Sequence, residues 1–251
     1  MSSGSLRRST LSRAERRISV SPVFLGAHRL LVQPQLERQR RSNLRQVVVR
    51  VFLESRETRA NSAPDSFGPP KCIHKTMNIP LIKITSEMLG GVRKDLQRPH
   101  SFARERIGFL VARLSKGAEA NPVILMSRYL PIADDAYIYD PTVGARFGTD
   151  AISVATEAIY WGRAAREGVF HVHIHAHKGS PSMSEVDAQD LPRLIPTFQS
   201  IGPRAPHGII ILSLDHGSAW YWSPSEGRPT RAAISVLGPP VLLFKPEVTI
   251  Q

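Results

Sequence analysis

From residue 77 onward, the order of apolar and polar residues predicts strands and helices in turn. Short apolar runs predict strands over residues 78–85, 107–114, 122–129, 169–177, 206–214 and 218–222, with a last short one at 241–244. Leu89, Val92 and Leu96 recur at helical spacing and predict a helix with Ser86 as its N-cap. A long helix is predicted from Asp150 to Gly168, and a shorter one from Ser184 that Pro192 limits or kinks.

This order of elements indicates an α/β (α+β) fold, in which helices flank a mixed β-sheet. The sequence contains no internal repeat, and residues 77–251 are predicted to form one domain.

The first 76 residues have a different composition, rich in Arg and Ser, with one short apolar stretch at 46–53. Three interpretations are open. The segment is a disordered basic arm, an organellar transit peptide, or a stretch that does not belong to the native protein. We favour the third, because the regular pattern begins at Met77.

The formal net charge of +12 is concentrated in this first segment. Residues 1–76 hold 15 of the 33 basic residues but only 5 of the 21 acidic ones, so the remainder is nearly neutral. A nucleic-acid-binding surface is therefore not expected on the domain. No apolar run is long enough to span a membrane, and the single cysteine, Cys72, is typical of a reducing compartment. A cytoplasmic protein is the expectation.

Four histidines stand at alternate positions in the predicted strand 169–177: His171, His173, His175 and His177. Alternate side chains of a strand share one face, so neighbouring members of this row are about 6.6 Å apart. Two adjacent imidazoles can bind one metal ion, whereas the outermost two cannot. A third ligand must then come from elsewhere in the chain.

Asp187 is the natural third ligand, because Gly179 and Pro181 in the intervening loop can turn the chain back. The same residue has a simpler interpretation. Ser184 and Asp187 have the spacing of a helix capping box, in which the carboxylate only accepts backbone hydrogen bonds.

The sequence resembles the active site of the JAB/MPN (JAMM-type) zinc metalloproteases in three places. Glu105-Arg-Ile-Gly is similar to the family's entry into an early strand, the histidine row to its His-x-His, and Ser184-Glu-Val-Asp187 to its Ser-x-x-Asp. The resemblance covers roughly residues 79–214 and is specific only as a combination. It implies a single MPN/JAB-like domain with the layering of cytidine deaminases.

The resemblance also implies a chemistry: Zn²⁺ bound by two histidines and Asp187, Glu105 as the general acid–base, and Ser184 as a donor to the oxyanion. The family spacing from the second histidine to the aspartate is about eleven residues, between the ten from His177 and the twelve from His175. The pair His175/His177 is preferred, and His173/His175 is the alternative.

The same resemblance implies that the substrate is the C-terminus of a ubiquitin-like modifier, cut at a peptide or isopeptide bond. The sequence is similar to bacterial stand-alone members of the family, which accompany E1-like (ThiF-type) enzymes, so such an enzyme is the expected partner. The alternatives are a non-catalytic MPN scaffold subunit, a zinc hydrolase acting on another substrate, and a nucleic-acid-binding protein led by its basic arm.

Overall fold

The computed structural model describes residues 79–115, 122–142, 144–224 and 228–246. The segment 1–76 and its proposed boundary at Met77 therefore lie outside the described residues. Eight strands are present: β1 (Leu81–Thr85), β2 (Ile107–Leu114), β3 (Val123–Pro131), β4 (Gly168–Ile174), β5 (His207–Leu212), β6 (Gly217–Trp222), β7 (Pro229–Leu237) and β8 (Leu242–Phe244).

Seven of these strands form a closed ring. They hydrogen-bond in the order β1-β3-β2-β4-β5-β6-β7, and β7 pairs in parallel with β1 to complete the circle, with Leu81 opposite Ala233 and Thr85 opposite Leu237. Strand β8 pairs with the second half of β7. The predicted α/β (α+β) fold, an MPN/JAB-like domain in which helices flank a mixed sheet, is therefore wrong: the described part of the chain is mostly β and its sheet is a closed barrel.

The barrel separates two apolar clusters because side chains alternate along each strand. Phe170, Val172 and Ile174 of β4 belong to the inner cluster. On the opposite face of the same strand, His171 and His173 are nearly inaccessible, at 2% and 1% exposure. The histidine row thus lies on the outer face of the barrel, under the helices.

Three α-helices cover the barrel: α1 (Ser86–Leu96), α2 (Thr149–Gly162) and α3 (Glu185–Ile201). Helix α1 packs Leu89, Val92 and Leu96 against the inner cluster, as predicted from their spacing, although its N-cap is Thr85 rather than Ser86. Helices α2 and α3 pack on the outer cluster. No helix in the described ranges is long and apolar enough to cross a membrane.

Four elements differ clearly from the sequence-based expectation. Helix α2 ends at Gly162 rather than Gly168, and strand β4 ends at Ile174 rather than at position 177. Helix α3 does not stop at position 192 but continues to Ile201, because Leu194, Ile195 and Phe198 pack into the outer cluster. This burial offsets the helical hydrogen bond that a proline removes. Strand β7 was not predicted at all, and it is the strand that closes the barrel.

Candidate metal centre

Strand pairing brings Glu105 to the histidine row. Strand β2 runs antiparallel to β4, with Ile107 opposite His173. Continuing this register by two residues in each direction brings Glu105, in the segment that leads into β2, alongside His175. The Glu105 Oε2 atom lies 4.0 Å from His173 Nε2. Donor atoms of Glu105, His173 and His175 all lie within 4.8 Å of one another, so this group could hold a metal ion.

Asp187 approaches the same two rings from the first turn of α3. Its Oδ2 atom is 3.5 Å from His173 Nε2 and 3.5 Å from His175 Nε2. The capping box is present as well. Ser184 Oγ accepts a hydrogen bond from the Asp187 backbone N–H at 3.1 Å, and Asp187 Oδ2 accepts one from the Ser184 backbone N–H at 3.0 Å. The two interpretations of Asp187 are thus compatible, since the cap fixes the carboxylate beside the histidines.

One donor atom each from His173, His175 and Asp187 form a triangle with the spacing expected for ligands of one tetrahedral metal ion. His173 Nε2 and His175 Nε2 are 3.0 Å apart, and each is 3.5 Å from Asp187 Oδ2. The circle through these atoms has a radius of about 1.9 Å. This is close to the zinc–ligand distances of about 2.0–2.1 Å, so these three residues could hold one ion together.

The electrostatics of the group suit a cation. Burial by itself raises the pKa of the Asp187 carboxyl, but hydrogen bonds from His173 and His175 outweigh it and bring that pKa well below its usual range. The hydrogen bond with Asp187 raises the pKa of His175, against the opposing effect of burial, and the charge of Glu105 adds to the increase. Asp187 is therefore ionised at neutral pH and attracts positive charge to the two rings.

The Glu105 backbone is held by contacts that the sequence did not reveal. Its N–H donates to the Gly144 carbonyl at 2.8 Å, and a Cβ added at Gly144 would lie 3.3 Å from Glu105 Oε2. Two residues on, Tyr137 Oη accepts a hydrogen bond from the Ile107 N–H at 2.8 Å and donates one to the Ile107 carbonyl at 3.1 Å. Gly144 and Tyr137 lie in a segment without a regular order of apolar and polar residues, so the sequence did not indicate that they hold the backbone at Glu105 and Ile107.

Arg106, the neighbour of Glu105, is fully buried and anchors the same segment. Its guanidinium forms an ion pair with Asp134 and stacks over the rings of Phe102 and Tyr137, at 5.1 and 5.7 Å from their centroids. A buried charge with one acidic partner is costly to displace, so this contact restrains the position of Glu105.

A cleft of about 350 Å³ opens beside Glu105. One wall is formed by residues 96–100 and 103–105, and the other by Ile174, Ala176 and Leu214. Ile174 belongs to the inner cluster, on the opposite face of β4 from His173, so of the donor group Glu105 is the member that lines this cleft.

The loop between His175 and Asp187 is held by the turn between β5 and β6. Gly179, with a φ of +86° that favours glycine, donates its N–H to Asp215 Oδ1 at 2.7 Å and accepts from Ser213 Oγ at 2.7 Å. The Leu214 N–H donates to the His177 carbonyl at 2.9 Å. These contacts fix the loop whose two ends supply His175 and Asp187.

His171 and His177 flank this group, with ring centroids 5.4 Å from His173 and 5.7 Å from His175, respectively, whereas His207 and His216 make their contacts elsewhere. His177 is exposed, and its Nδ1 hydrogen-bonds to the Lys178 carbonyl at 2.9 Å. The His207 ring bonds to the Val169 N–H and the Gly202 carbonyl, and the His216 ring packs on Phe244. The structure therefore brings donor atoms of the alternative pair His173/His175 close to those of Asp187 and Glu105, while the His177 ring of the preferred pair lies beside the His175 ring.

Comparisons with known proteins do not assign this group. No protein-family model matches the chain. No curated protein matches it either. Among solved structures, the N-terminal domain of STIL from Trichoplax adhaerens is similar with a TM-score of 0.29 and 12% sequence identity, over 56% of this chain and 40% of that chain. This chain thus spans less than half of that domain, and a likeness at this level carries no argument about fold or function.

Proposed function

We propose that the chain is a zinc-dependent hydrolase that cuts a peptide or isopeptide bond, with His173, His175 and Asp187 as the zinc ligands. The observation that carries this proposal is the triangle of donor atoms with sides of 3.0, 3.5 and 3.5 Å. Two imidazoles and one carboxylate suit zinc, and three protein ligands leave the fourth tetrahedral position open, as in catalytic sites.

A zinc ion held there supplies an acidified water and polarises the scissile carbonyl. Glu105 would serve as the general acid–base: it would take a proton from the attacking water and give it to the leaving nitrogen as the C–N bond breaks. The Glu105 carboxylate suits this role because it is 4.0 Å from His173 Nε2, farther than Asp187 is.

The Ser184 hydroxyl, the proposed oxyanion donor, is already engaged in another hydrogen bond. Its hydroxyl donates to Asp187 Oδ2 at 2.8 Å. To stabilise a developing oxyanion, it would have to rotate away from this carboxylate.

The proposed substrate is the C-terminal tail of a ubiquitin-like protein, and its support is the resemblance of Glu105, the His-x-His pair and Ser184-x-x-Asp187 to JAMM proteases. An E1-like enzyme that activates the same modifier is the corresponding proposed partner. The cleft along Ile174 and Ala176 leads to Glu105 and has room for an extended backbone. The support for this substrate comes from the resemblance of these motif side chains and not from the barrel fold.

The test is incubation of the full chain with zinc and a panel of ubiquitin-like proteins extended at their C-termini, with and without a chelator. We expect chelator-sensitive cleavage after the modifier tail, and zinc near one equivalent by mass spectrometry. Glu105→Gln should keep zinc and lose at least about 10²-fold in rate. Cleavage that survives chelation would contradict the proposal, and a chain that purifies metal-free would indicate a scaffold.

A further inference from the structure

His171 stands next to the proposed ligands and has no hydrogen-bond partner among the described residues. It is 2% exposed, and both of its ring nitrogens are buried and unpaired. Its ring packs between Phe109 and Phe147, with centroids at 5.8 and 6.1 Å, and neither side chain has a polar atom. Each buried polar group left without a partner costs about 1–3 kcal/mol, so apolar packing alone gives no reason for a histidine here.

His173 also has a ring nitrogen without a hydrogen-bond partner among the described residues. Its Nε2 faces Asp187 and His175, so Nε2 is the atom that would bind the metal. The other nitrogen, Nδ1, then carries the proton and needs an acceptor. In the described part of the chain, this Nδ1 is buried and has no partner either.

The two rings are adjacent, with centroids 5.4 Å apart. Nitrogens on the facing sides of two rings are closer together than the centroids, and a water with two hydrogen bonds of about 2.8 Å can join nitrogens up to about 5.6 Å apart, so this spacing allows a bridging water. Buried waters are typically held by two to four polar groups, and these two rings offer three unpaired nitrogens.

We infer that His171 is a positioning residue for the metal ligand His173, acting through a buried water that accepts from His173 Nδ1–H and donates to a ring nitrogen of His171. The inference rests on the proposed metal site. The water fixes the tautomer and the orientation of the His173 ring, so that Nε2 faces the ion.

The test compares zinc affinity and folding stability of full-length variants, measured by competition with a chromophoric chelator and by urea unfolding of the metal-free protein. His171→Phe suits the apolar surroundings, so we expect stability to be retained or increased, and zinc binding to weaken 10- to 100-fold. His171→Gln keeps a donor and an acceptor and should stay within about fivefold of the wild type. Phe147→Leu changes the packing on the same ring without changing its polar atoms, and should also stay within about fivefold.

Among variants that fold, any other pattern of zinc affinities overturns the inference. Unchanged affinity in His171→Phe would make the residue packing only, and equal losses in His171→Phe and Phe147→Leu would point to packing as the cause. If His171→Phe fails to fold, the test is a high-resolution structure of the zinc-loaded wild type, where no water within about 3.2 Å of His173 Nδ1 would refute the inference. A wild type that binds no zinc would instead refute the proposed function itself.

Discussion

The two roles of Asp187 can be separated by comparing Asp187→Asn with Ser184→Ala. An asparagine keeps an oxygen that can accept the Ser184 N–H, now at 3.0 Å, but it loses the charged ligand. We expect about 1 kcal/mol of lost stability from the missing charge at the helix N-terminus, and a further loss because the hydrogen bonds from His173 and His175 to the charged carboxylate are weakened. Four-ligand zinc sites bind with about 10–16 kcal/mol, so one ligand corresponds to roughly 3 kcal/mol, or on the order of 10²-fold in zinc affinity.

Ser184→Ala should show the opposite pattern. It removes the oxygen that accepts the Asp187 N–H, which costs about 1 kcal/mol of stability, while the carboxylate remains. Urea unfolding of the metal-free proteins and zinc competition with a chromophoric chelator give the two quantities separately. If Asp187→Asn binds zinc as tightly as the wild type, the ligand set is wrong, and Glu105 with the two histidines becomes the site to test.

Further variants test the ligand pair, the pH response and the packing. His173→Ala should abolish stoichiometric zinc binding while His177→Ala keeps it, as measured by mass spectrometry; the reverse result would restore the pair His175/His177. Burial lowers the pKa of His207 to about 4 against its hydrogen bonds, so the unfolded chain binds more protons between pH 6.5 and 4. Stability should fall by up to about 3 kcal/mol as pH drops through that window, and His207→Asn should flatten this slope in urea unfolding; parallel profiles would contradict it. Gly91→Ala should stabilise helix α1 by about 1 kcal/mol, because a Cβ at this position meets open space. Gly168→Ala should destabilise the protein by at least 2 kcal/mol, roughly the cost of overpacking, because its Cβ would lie 1.9 Å from the Pro206 carbonyl oxygen. Equal melting temperatures of the two variants would refute both expectations.

Local patterns predicted much of this structure. The strand Ile107–Leu114 has the predicted bounds, and the buried positions of α1 are those that its spacing indicated. The capping box at Ser184 and the common face of His171 and His173 also follow from sequence spacing alone, because they depend only on neighbours a few residues away.

Closure of the barrel could not be predicted in this way. It depends on a parallel pairing between β1 and β7, which are almost 150 residues apart, and β7 lacks a clear apolar pattern, with Pro229, Thr230 and Arg231 at its start. The choice of ligand pair stays a prediction. Strand β4 ends at Ile174, and the exposed His177 ring still lies next to the His175 ring, with centroids 5.7 Å apart.

The cap that positions Asp187 links metal binding to folding. The proposed ligands are assembled only when β4 is in the sheet and α3 has begun at Ser184, so an ion that binds there binds the native state and not the unfolded chain. Free zinc at a thousandfold excess over its dissociation constant would then add about 4 kcal/mol to the free energy of unfolding. The melting temperature would rise with zinc concentration, and the availability of zinc in the cell would set how much folded protein is present.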